Sequence, residues 1–100
     1  MALIDEAKAS LRIATSDSNI TAEIQRYISE AILDLTKTAN IEVFTEQTAD
    51  SLQKGAVLSY VAMKWYEMKD AVISDRMRKS YEDYKAKMLM SSEYGTFGGD

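Results

Sequence analysis

One hundred residues with 46% hydrophobic and 28% charged side chains fit one compact domain and leave no room for a second core. The chain has no cysteine and no histidine, which excludes disulfides, thiolate nucleophiles, imidazole acid–base catalysis and the usual ligands for zinc or iron. The net charge of -4 is uneven: residues 1–50 carry four basic and nine acidic groups and residues 51–100 carry eight and seven, so tight wrapping of duplex DNA is not expected.

Proline is absent, which favours long unbroken helices over a turn-rich sandwich or barrel. The expected fold class is therefore all-α, a small bundle of about four helices. The segment Met1-Ala2-Leu3-Ile4-Asp5-Glu6 puts acids where a secretory signal would have a basic region. The most apolar run, Gly55 to Met63, is far shorter than the ~20 residues of a membrane span, so no export and no membrane contact are expected.

A short first helix is expected from about Leu3 to Leu11, with Ile4, Ala7 and Leu11 on one face. The polar run Thr15 to Asn19 marks a loop and offers N-caps to a second helix. From Ile20 to Ala39 the residues Ile20, Ile24, Tyr27, Ile28, Ala31, Ile32 and Leu35 form one broad stripe, the mark of a long second helix. Asn40 is suited to closing that helix in the left-handed conformation, and Thr45 to restarting the pattern with Phe44 and Ala49 as a hydrophobic staple.

The third helix, about Glu46 to Asp70, is apolar all the way round. Leu52, Ala56, Met63 and Tyr66 occupy one side and Val57, Val61, Trp65 and Met68 the other. Such a helix must be covered twice, by its own bundle or by a neighbouring molecule on one side. Gly55, about 1 kcal/mol unfavourable inside a helix, suggests a neighbouring backbone close by.

A break near Val72 to Ser74 precedes an amphipathic fourth helix whose seam is Ile73, Met77, Tyr81, Tyr84 and Met88. Its cations Arg76, Arg78, Lys79, Lys85 and Lys87 are either a solvated face laced with pairs such as Asp75–Lys79 and Asp83–Lys87, a protein-docking patch, or a nucleic-acid footprint. Residues 1–91 form the expected helical domain. Residues 92–100 are expected to form a flexible tail, glycine-rich around Tyr94 and Phe97, that is either disordered or a peptide that orders in a partner's groove.

No calcium-loop spacing and no glycine-rich catalytic turn is present, so no enzyme activity, no metal site and no cofactor is expected. The bipolar charge would let the acidic half of one copy face the basic fourth helix of the next, a head-to-tail contact of the kind that closes rings. The alternative is a small acidic helical regulatory module that binds one protein partner without forming a ring.

Several stretches carry a resemblance. Asp5-Glu6-Ala7-Lys8 leading to Leu11-Arg12-Ile13, Ala56-Val57-Leu58-Ser59-Tyr60-Val61, Lys64-Trp65-Tyr66, Lys79 to Lys85 and Met88 to Tyr94 together resemble the small helical head-tail connectors of long-tailed bacteriophages. At Trp65-Tyr66-Glu67 the chain departs from that pattern, which has phenylalanine and glycine there. The resemblance implies a head-completion adaptor active in virion assembly and DNA packaging, about twelve copies forming a homo-oligomeric ring beneath the portal at the virion neck. It implies as partners the portal protein and a neck, stopper or tail-completion protein, with DNA passing through unbound and synthesis in the host bacterial cytoplasm. Glu93, Tyr94 and Phe97 become the expected portal contacts, and Arg76, Arg78, Lys79, Lys85 and Lys87 the expected contacts between subunits. The acidic surplus would suit a channel lining that repels phosphate.

Overall fold

A computed structural model describes residues 3–13, 17–38, 44–45 and 47–90. Among them are four helices: α1 Leu3–Ser10, α2 Ser18–Thr38, α3 Ser51–Tyr66 and α4 Ala71–Leu89. The all-α bundle expected from the sequence is the fold observed.

Each of the three long helices begins at an aspartate. Asp17 accepts hydrogen bonds from the amides of Asn19 (2.7 Å) and Ile20 (3.4 Å) at the start of α2. Asp50 and Gln53 form a reciprocal capping box at the start of α3, both bonds 2.9 Å long. Asp70 accepts from the amides of Val72 (3.1 Å) and Ile73 (3.2 Å) ahead of α4. A carboxylate in this position satisfies free N–H groups and opposes the helix dipole.

These caps correct three boundaries. The third helix starts at Ser51, not near Glu46, because Thr45 and Thr48 tie up a separate turn in which the Thr45 amide donates to the Thr48 hydroxyl at 2.8 Å. Phe44 is buried but precedes that turn, so it does not staple α3. The same helix ends at Tyr66, not Asp70, and the break before α4 falls at residues 67–70 rather than at Val72 to Ser74, since Asp70 takes an extended conformation to cap α4. That turn is made without glycine; Lys69 Nζ donates to the Trp65 carbonyl at 3.1 Å and lies 4.2 Å from the centre of its ring. Asn40 lies outside the described residues.

Helix α1 ends in a motif that the sequence does not advertise. Arg12 has a φ of 59°, the Arg12 amide donates to the Ala9 carbonyl at 3.1 Å, and the Ile13 amide donates to the Lys8 carbonyl at 2.8 Å. This is the Schellman pattern with arginine where glycine is usual.

Helix α3 is the central rod and packs against α1, α2 and α4. Its Ala56, Val57, Val61 and Ala62 join Leu3 and Ala7 of α1, Ile24, Ile28, Ala31 and Leu35 of α2, and Tyr81 and Met88 of α4 in one core. Both sides of α3 are therefore covered within the subunit. Met68, placed on the far side of that helix by periodicity, lies beyond its end and is 92% exposed.

Candidate functional site

Helix α4 is the centre of the candidate surface, because it presents an inner seam, a polar side, a groove side and an outward charged face. Its inner seam holds Tyr81 and Met88 buried, with Ile73, Met77 and Tyr84 half-buried. Two hydroxyl contacts fix it to α3: the Ser74 hydroxyl donates to the Met63 carbonyl at 2.8 Å, and the Ser59 and Ser80 hydroxyls lie 3.1 Å apart.

On the side toward α2, α4 meets a polar cluster. The Tyr81 hydroxyl donates to the Asp34 carboxylate. Lys85 Nζ lies 3.5 Å from Asp34 and 3.6 Å from Glu82, and donates to the Thr38 hydroxyl at 3.2 Å. Next to it the Tyr60 hydroxyl donates to Glu30 at 3.1 Å, and the Tyr60 and Tyr81 rings meet edge to face with centroids 5.2 Å apart. Burial, then the Asp34 carboxylate, pushes the Tyr81 hydroxyl far above the usual tyrosine range. Burial, then Glu30, pushes Tyr60 up to about 12. Both groups stay neutral donors at physiological pH, and through them the cluster ties α3 and α4 to the carboxylates of α2.

The opposite side of the α4 seam opens into a groove of about 390 Å³ between α1, α3 and α4. Leu11, Leu58, Ala62, Ile73 and Met77 supply apolar wall, and Tyr84 lies against Gly55. A Cβ added at Gly55 would sit 2.5 Å from the Tyr84 ring, so the close approach predicted at this glycine is made by a side chain and not by a backbone.

The outward face of α4 holds the cations. Arg76, Arg78, Lys79 and Lys87 are exposed. Asp75 pairs with Arg78 and, at 3.4 Å, with Lys79, and the Arg78 hydrogen bond, with the charges of both cations, holds the Asp75 carboxyl below its usual range. Lys87 Nζ stands 5.4 Å from the centre of the Tyr84 ring, so the expected Asp83–Lys87 pair is replaced by a cation–π contact. Lys85 differs from the other four: its side chain is only 16% exposed and is held inside the subunit. Glu93, Tyr94 and Phe97 lie outside the described residues.

Large apolar side chains are exposed near both ends of α4, Met68 and Val72 before or at its start and Leu89 and Met90 at its finish, with Leu33 exposed on α2. Among the described residues no group of three acidic side chains is placed to hold a metal ion. No helix there is long and apolar enough to cross a membrane.

Sequence reasoning missed Asp34, Glu30 and Tyr60. The available signal was the pair Glu30 and Asp34, one turn apart at the edge of the α2 stripe; nothing in the letters names partners 30 and 47 residues away. Compared with known proteins, the chain matches the model of a family described as phage connector protein over residues 3–95. No curated protein and no solved structure matches it.

Proposed function

This chain belongs to the phage connector family, and from that premise we propose that it is a head-tail adaptor subunit closing into a ring of about twelve copies beneath the portal. The observation that carries this reading is the family match over residues 3–95, which takes in all four helices. The family role is structural connection, and the proposal adds geometry to it: many weak, repeated contacts whose strength ring closure multiplies.

Two features of the fold support assembly. Exposed Met68, Val72, Leu89 and Met90 bracket α4 with apolar surface, and Arg76, Arg78, Lys79 and Lys87 line its outward face. In the proposed ring those four cations meet the acidic α1–α2 half of the next copy, and Lys85 acts only by holding α4 in place. Glu93, Tyr94 and Phe97 reach the portal, the opposite end of the ring docks a neck, stopper or tail-completion protein, and DNA passes through the channel without specific binding. The site of action is the virion neck.

Co-sedimentation with purified portal rings, followed by electron microscopy of the assembled necks, tests the proposal. A ring of copies stacked on the portal is the expected result. A chain that never joins the portal, or that binds a single protein partner one to one, overturns it in favour of a regulatory module.

A further inference from the structure

We propose that α4 of one copy lies parallel to α2 of the next, with Lys79, Asp83, Lys87 and Met90 set against Glu23, Arg26, Glu30 and Leu33. The inference rests on the ring proposal and deepens it, by naming the two helix faces that meet and their register. Periodicity puts each group of four along the outward side of its own helix, and all but the half-buried Glu23 and Glu30 are exposed. Along α4 the order is cation, anion, cation, methionine; along α2 it is anion, cation, anion, leucine. Residues 83, 87 and 90 each stand 57 positions after 26, 30 and 33, and 79 stands 56 after 23. One alignment of the two rods therefore matches all four pairs to within a residue's rise of ~1.5 Å.

The subunit leaves Leu33 56% and Met90 87% exposed, and this register covers each with the other. The carboxylates are already positioned: the Tyr27 hydroxyl donates to Glu23 at 2.6 Å and the Tyr60 hydroxyl to Glu30 at 3.1 Å, so little side-chain freedom is lost when a lysine arrives. Arg26 lies 3.8 Å from Glu30 in an exposed pair, a contact of little strength that leaves the guanidinium able to meet Asp83.

The charge pattern reads the same from either end, and ring closure decides the direction. Within one subunit α2 and α4 run the same way, since Asp34 and Thr38 meet Tyr81 and Lys85 at a constant separation of 47 residues. In a ring of about twelve copies each is turned by about 30° from the last, which cannot reverse a helix, so α4 meets the next α2 in parallel. The shift of ten residues between the two pairings, ~15 Å along the rods, makes them lean away from the ring axis.

The natural chain has no cysteine, so single cysteines report the register without background. Full-length Leu33→Cys and Met90→Cys chains are mixed and treated with a short bismaleimide, with and without portal rings. The expected product is a crosslink between copies joining 33 to 90. A stronger link from Leu33→Cys to Val72→Cys, the mark of antiparallel packing, or no link between copies, overturns the register.

Charge exchange gives a second measurement. Asp83→Lys and Arg26→Glu should each weaken self-association at least about fivefold, and the chain carrying both should recover to within about twofold. Attraction between a cationic face and an acidic half, without register, predicts that both single variants associate more tightly, because each makes its own side more strongly charged. Tighter association of either one, or no recovery in the double variant, overturns the proposal. All the altered positions are exposed, and circular dichroism verifies that each variant stays helical. Rings that form on the portal without the 33–90 link defeat this inference alone, whereas copies that link 33 to 90 and never join a portal support it and defeat the portal reading alone.

Discussion

The Tyr81 hydroxyl donates to the Asp34 carboxylate across 47 residues of chain, joining the seam of α4 to the edge of the α2 stripe. A hydrogen bond to a charged acceptor contributes about 1.5–3 kcal/mol, and exposure lowers the figure. Tyr81 is 3% exposed and its ring stays buried in a Phe variant. Tyr81→Phe should therefore cost about 1–2 kcal/mol, and Asp34→Ala more, because it also strips Lys85 of a partner. Urea melts of the single and double variants give the coupling directly.

The same tyrosines set an alkaline limit. Both hydroxyls have folded-state pKa values raised above the ordinary value near 10.0, by burial first and a carboxylate second. Their contribution is fully present below pH ~10 and is lost as pH rises through the folded values, which for Tyr60 means toward about 12. Helicity followed from pH 8 to 12 should hold to about 10 and then fall, with tyrosinate absorbance rising in step. The Tyr60→Phe/Tyr81→Phe chain should be less stable at neutral pH and should lose less of its remaining stability in that window.

Arg12 sits at a φ of 59°, where a side chain costs roughly 1–2 kcal/mol relative to glycine. Glycine gives back part of that difference through the entropy of the unfolded chain. Arg12→Gly should raise stability by up to about 1 kcal/mol, and Arg12→Val should lower it by more than that. Thermal melts of the two variants should move in opposite directions.

Gly55 and Tyr84 should show strong energetic coupling. Gly55→Ala adds about 1 kcal/mol of helix propensity but drives a methyl to within 2.5 Å of the Tyr84 ring, so the ring must swing outward. The alanine should therefore be at least about 1 kcal/mol more favourable in a Tyr84→Ala background than in the natural chain. Tyr84→Asp should destabilise by about 2–3 kcal/mol through lost ring burial and an added charge at a half-buried site. Chemical denaturation of the four-member cycle measures the coupling, and that of the Tyr84→Asp chain the destabilisation.

Reversing exposed charge on α4 should separate assembly from folding. Arg76→Glu with Lys79→Glu alters side chains that face solvent, so stability should change by less than about 1 kcal/mol. Ring formation on the portal should weaken at least tenfold and become less salt-dependent. Deletion from Ser92 onward should leave the helices intact and abolish portal attachment, read by circular dichroism beside a pull-down.

The four helices were legible because the isoleucine stripe of α2 and the two-sided α3 follow from periodicity alone, and burial of Ile24, Ile28, Val57 and Val61 obeys it. Helix ends were less legible, since Asp50 replaces Thr45 as the start of α3, and Asp70 moves the break ahead of Val72 to Ser74, only through bonds that depend on local backbone geometry. The candidate surfaces were read in part. Four cations on α4 face outward as the pattern suggested, whereas Lys85 is drawn inward by Asp34, an acid from the opposite half of the sequence. The groove beside Tyr84 has no signature beyond Gly55, because a concavity arises from how three rods are spaced and not from any one of them.

The Ser74 bond to the Met63 carbonyl and the Tyr81 bond to Asp34 act on α4 like two dowels set a few turns apart. Greasy contact alone would let a cylinder roll about its axis, but directional bonds to two different neighbours fix its azimuth. In the proposed ring, a small rolling error in each copy would accumulate and leave the last joint open, so these two pins would set the tolerance to which neighbouring copies meet.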